Sequence, residues 1–79
     1  MILTIKEAEY VGGHKVKCLF NDGVIKLVDF TPLLQYPTFQ DLKEEHRFAQ
    51  FGLRNTLFWS NGTDIAPEYL YEHGTTCEA

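Results

Sequence analysis

LFWSNGTDIAPEYLY, residues 57–71, holds the chain's only tryptophan and reads as strand, turn and helix in succession. Leu57, Phe58 and Trp59 suit a pleated, half-buried strand. Asn61-Gly62 tolerates positive φ at both positions, so the chain can reverse tightly there. Asp64 follows and is expected to accept hydrogen bonds from backbone N–H groups of the next turn. Pro67 fits the first position of a helix, where a missing N–H costs nothing, and Glu68 suits the positive end of its dipole. Tyr69, Leu70 and Tyr71 begin that helix, and His73-Gly74 ends it. Trp59 is the expected anchor between a sheet and this last helix. Trp59, Asn61, Gly62, Asp64, Pro67 and Glu68 are the candidate structural or interaction residues.

Working back toward the N-terminus, residues 2–10, 14–20 and 24–30 read as three strands joined by two hairpins. Asp22-Gly23 suggests a two-residue loop. That register puts Phe20 opposite Ile25, Cys18 opposite Leu27 and Val16 opposite Asp29. Val16, Cys18, Phe20, Ile25 and Leu27 then share one apolar face, with Lys15, Lys17 and Lys26 behind it. A three-residue loop would set Lys26 beside Cys18 on the apolar side, and a one-residue slip moves a whole strand face. At the first turn, a Val11-Gly12-Gly13 loop pairs Glu7 with Lys17 and Glu9 with Lys15 on the exposed face. Leu3, Ile5, Leu19 and Val28 then fall on the open face, unless a bulge turns the first two inward.

After Asp29 the period changes. Thr31 as N-cap and Pro32 in the first turn predict a helical turn over 31–35, which Pro37 breaks. Thr38 is the expected cap of a second short helix carrying Phe39 and Leu42. A turn over 45–50 adds Phe48 to the same side, and residues 51–54 and 56–59 form a hairpin around Arg54-Asn55. The fold class is therefore α+β: a small antiparallel sheet of about five strands in two hairpins, with short helices, one of them C-terminal. Residues 1–73 form a single domain and residues 74–79 a frayed tail.

The composition narrows function chiefly by exclusion. Net charge is −4, with the acids concentrated from Asp29 onward, which argues against an electrostatic nucleic-acid binder. No apolar run is long enough to span a membrane and no signal peptide is evident, and Cys18 and Cys77 offer no disulfide framework. A cytoplasmic setting is expected. His14, His46 and His73 lie far apart with no paired-ligand spacing, so neither a metal nor another cofactor is expected. Ser60, the one serine, lacks a nucleophile setting, and Cys18 reads as a buried strand residue. Gly12-Gly13 is a hairpin loop too short to cradle phosphate. Asp64 with His73 would be an acid–base pair only if they met; the local-cap reading is preferred. No catalytic residue is assigned.

The segments FNDGVIKLVDFTPLL, PTFQDL, RFAQFGL and LFWSNGTDIAPEYLY together resemble the small bacterial proteins grouped as domain of unknown function 2442. The resemblance runs from about Lys6 to Tyr71. It is most specific at Trp59, Asn61, Gly62, Asp64, Pro67, Glu68 and Leu70, with Phe20, Asp22, Gly23 and Asp29 matching earlier; Ser60 stands where proline is commoner. The family implies a small antiparallel sheet with short helices and no established activity or cofactor. Its genes often lie beside those of another small family, an arrangement like a toxin–antitoxin pair. Some members carry a helix-turn-helix domain after this one, for which the residues beyond Tyr71 are too few. The resulting expectation is a non-catalytic protein-interaction module, an antitoxin-like partner of a neighbouring protein or a homo-oligomer. The alternative is a small ligand-binding domain with a pocket near Trp59.

Overall fold

The computed structural model describes residues 2–77. Strands β1 (Ile5–Gly12), β2 (Lys15–Phe20) and β3 (Ile25–Asp29) form an antiparallel meander. Two 3-10 segments, Thr31–Gln35 and Pro37–Leu42, and a single turn α1 (Glu45–Phe48) follow. Then come the hairpin β4 (Gly52–Arg54) and β5 (Thr56–Phe58), helix α2 (Pro67–His73) and a short strand β6 (Thr75–Thr76). The main sheet has the order β1-β2-β3-β6, and β4-β5 is a separate two-stranded sheet. The fold is α+β, with one strand more than the sequence suggested.

That extra strand replaces the start of the expected tail. Thr75 and Thr76 pair with Leu27 and Lys26, and the Cys77 N–H donates to the Ile25 carbonyl. The chain leaves α2 at an extended Gly74, packed where a Cβ would press on the Leu70 carbonyl and Val28. The remainder of the expected tail, Glu78 and Ala79, lies outside the described residues.

Both hairpin registers differ from expectation. Asp22-Gly23 sits in a three-residue loop, with Cys18 opposite Lys26 and Val16 opposite Val28. Gly23 takes the left-handed conformation at φ 90°, and the Asp22 carboxylate accepts the Val24 N–H. This is the type I turn with a glycine bulge, which Asx-Gly serves as well as the two-residue turn. Lys26 is tolerated on the inner face because its ammonium lies over the Tyr71 ring, 4.5 Å from the ring centre. Val28 is therefore buried, while Ile25 and Leu27 turn to the outer face.

The first loop is Gly13-His14, with φ of 61° and 59°, the values of a type I′ turn. Irregularities at Lys6 and Val11 shift β1 against β2, so Glu9 faces Lys17 and Glu7 faces Leu19. The expected Glu7–Lys17 and Glu9–Lys15 pairs do not form. The bulge at Lys6 turns Ile5 inward, where it is buried, and Leu3 packs on the core. Of the four residues expected on the open face, only Leu19 remains there, half-buried.

The core has two parts. Beneath the sheet, Val16, Cys18, Phe20 and Val28 pack with Leu70, and Tyr71 meets Phe20 edge-on at 4.9 Å. Beneath the helical segments, Trp59 gathers Phe30, Phe39, Phe48 and Phe51. Trp59 is thus an anchor, 3% exposed, but among the helical turns; Leu70 takes the place between sheet and α2. Neither threonine caps its helical segment: the Asp29 carboxylate accepts the Thr31 N–H, and Pro37 opens the second segment after an extended Tyr36.

Candidate interaction surface

The outer face of the main sheet carries Glu7 and Glu9 from β1, Lys15, Lys17 and Leu19 from β2, and Ile25, Leu27 and Asp29 from β3. These residues are cross-strand neighbours by register. Thr75 of β6 completes the row that holds Glu9, Lys17 and Leu27. Leu19, Ile25 and Leu27 are half-buried on this face. Leu53, 40% exposed, rises beside it from β4. Together with Lys6, Glu7, Glu9, Lys17, Leu19 and Ile25 it bounds a trough of about 600 Å³. The small hairpin is held there by the Ile5 N–H, which donates to the Asn55 carbonyl at 2.8 Å. The result is an apolar strip bordered by lysines and glutamates.

The residues singled out around Trp59 divide into three places. Trp59, Asn61 and Gly62 belong to one turn. The Trp59 N–H donates to the Thr63 carbonyl, the Gly62 N–H to the Trp59 carbonyl, and the Asn61 side-chain oxygen accepts the Thr63 N–H at 3.0 Å. The indole Nε1 donates to the Phe48 carbonyl at 2.8 Å, so the ring is fully engaged. Asp64 makes an isolated bridge with Phe58, and among the described residues its carboxylate accepts no hydrogen bond. The expected cap is absent; Asn61 performs the local bonding instead. Pro67 occupies the first turn of α2, with Glu68 exposed beside it. A groove of about 190 Å³ beside Trp59 is lined by Asp41, Arg47, Gln50, Ser60 and Asn61.

Two long-range clamps had no local signal in the sequence. Tyr10 donates its hydroxyl to Glu45 at 2.5 Å, and the Gly13 N–H reaches the same carboxylate oxygen. Tyr10 titrates above the ordinary phenol value because of desolvation first and the Glu45 bond second. The Tyr10 and Gly13 donors hold Glu45 below the usual carboxylate range. His14, with Nε2 at 3.0 Å from the Leu42 carbonyl, lies on Phe48 beside this clamp. In the second clamp Tyr71 donates to Asp22 at 2.6 Å, lowering the carboxyl and raising the phenol.

Among the described residues no group of three or more His, Cys, Asp or Glu side chains is placed to hold a metal ion. Burial pushes the Cys18 thiol up to about 12, far from a reactive thiolate. No helix among the described residues is long and apolar enough to cross a membrane.

The model of the family described as protein of unknown function DUF2442 matches residues 5–76. The chain belongs to that family. The match begins at β1 and ends with β6, so the DUF2442 unit includes the strand that completes the sheet. No curated protein and no solved structure matches the chain.

Proposed function

We propose that this DUF2442 chain is a non-catalytic protein-interaction module whose docking surface is the outer face of the main sheet. The observation that carries it is the half-buried strip of Leu19, Ile25 and Leu27 on the outer face of the sheet, with the exposed Leu53 beside it. An antiparallel sheet with one solvated face ordinarily places polar residues there in alternation. A joined apolar strip with a charged border has the composition of an interface. The antitoxin-like role implied by the family's gene arrangement is one form this binding would take. The lysines on this face give no preference to a basic partner.

The groove at Trp59 supports the ligand-binding alternative less. Its volume is below the roughly 300 Å³ at which small-molecule pockets begin, and the indole N–H is already bonded inside the fold. The test compares affinity purification of the full chain from its native host with that of two variants, Ile25→Glu and Arg47→Ala. The expected result is a stoichiometric protein partner, another chain or a second copy, lost with Ile25→Glu and kept with Arg47→Ala. Partner retention by a folded Ile25→Glu protein, or loss only with Arg47→Ala, would overturn the assignment of the surface.

A further inference from the structure

We infer that the occupant of the outer face is a second copy of this chain, packed face to face about a two-fold axis running along the strands between β2 and β3. The inference rests on the docking reading above and adds the partner and the register. Its first support is charge. The face holds as many lysines (Lys6, Lys15, Lys17) as carboxylates (Glu7, Glu9, Asp29), although the whole chain is at −4. A strongly basic or strongly acidic partner would find half of these groups repulsive. A balanced partner would not, and a second copy is balanced in the same way.

The second support is the register itself. In an isologous contact about this axis, β2 of one copy lies over β3 of the other, so each residue meets the copy of its own cross-strand neighbour. Leu19 meets Ile25, Lys17 lays its stem on Leu27, and Lys15 meets Asp29, each contact occurring twice. In the outer row β1 lies over β6, and Glu9 meets the Thr75 hydroxyl. No pair among these sets like charge on like. An axis across the strands at the Lys17–Leu27 row would instead stack Lys17 on Lys17. The arrangement along the strands also keeps the two sheets aligned, the common mode of sheet-on-sheet packing. Four strands at about 4.8 Å spacing make a narrow face, at the small end of dimer interfaces, and a micromolar equilibrium is expected.

Sedimentation equilibrium of the purified full chain across the micromolar range tests this. Wild type is expected to dimerise. Leu19→Glu and Ile25→Lys alone should each weaken dimerisation by roughly tenfold or more, because each buries an unpaired charge on an apolar neighbour. An equimolar mixture of the two should recover association, since the introduced carboxylate then faces the introduced ammonium. Circular dichroism confirms that both variants are folded. A mixture no tighter than the separate variants, or variants that dimerise like wild type, would overturn the register. A monomeric wild type would overturn the second copy, and the docking reading would still stand if Ile25→Glu releases a host partner.

Discussion

Two turns in this molecule are built alike. Phe20-Asn21-Asp22-Gly23-Val24 and Trp59-Ser60-Asn61-Gly62-Thr63 each place a buried aromatic first and a left-handed glycine fourth, at φ 90° and 91°. In each, the aromatic N–H reaches the carbonyl four residues on, and the glycine N–H returns to the aromatic carbonyl. In each, the Asx oxygen takes the N–H two residues ahead. They differ in what the middle side chain does next. Asp22 also accepts from Tyr71 and so ties its turn to α2, whereas the second turn is held through Trp59 and by the Thr63 hydroxyl, which donates to the Thr38 carbonyl. The same backbone device is locked once by a titratable group and once by an aromatic ring.

The largest expected effect removes the ring. Trp59→Ala should cost about 3–5 kcal/mol by denaturant unfolding, because it deletes the centre of the aromatic cluster and leaves the Phe48 carbonyl without its donor. Next, Gly23→Ala and Gly62→Ala should each cost about 1–2 kcal/mol, since no neighbour crowds either position and the positive φ alone is the obstacle. Equal losses at the two sites would show that the turns are energetically alike. A loss at only one would break the comparison.

Acid separates the two turns. The Tyr71 bond lowers the folded Asp22 carboxyl, so its contribution is present above the unfolded value and disappears as pH falls through the folded one. The stability gap between wild type and Asp22→Asn, measured by thermal melts, should therefore close below about pH 4. An Asn61→Ala gap should persist, as that side chain does not titrate. The smallest effect belongs to Asp64→Ala, expected within about 0.5 kcal/mol of wild type because the carboxylate is exposed and unbonded.

The pair of turns also shows what was legible in the sequence. Asx-Gly announces a reversal and a positive φ, and both reversals are there. It does not say whether one residue or none precedes it in the loop. At Asp22-Gly23 the strand faces favour the two-residue loop because of Lys26, and the structure has the three-residue one. A lysine on an inner face looks unfavourable until the Tyr71 ring, 45 positions away in sequence, is known to lie beneath its ammonium. Helical segments set by local residues came through better. Thr31–Gln35 and α2 begin and end where Pro32, Pro67 and Gly74 dictate, and Phe39, Leu42 and Phe48 do share a buried side. What local residues could not reveal was the pairing of β6 with β3, or the meeting of Tyr10 with Glu45. The apolar character of the open face was legible, but the residues composing it followed the register and changed with it.

The proposed docking role depends on where the molecule meets its partner. Backbone amide chemical shifts, followed as the isotope-labelled chain is concentrated through its association range, read that location directly. The shifts are expected to move at Lys17, Leu19, Ile25 and Leu27 and to stay still at Asp41, Arg47 and Gln50. Movement confined to the residues beside Trp59, with the outer face of the sheet unchanged, would contradict it.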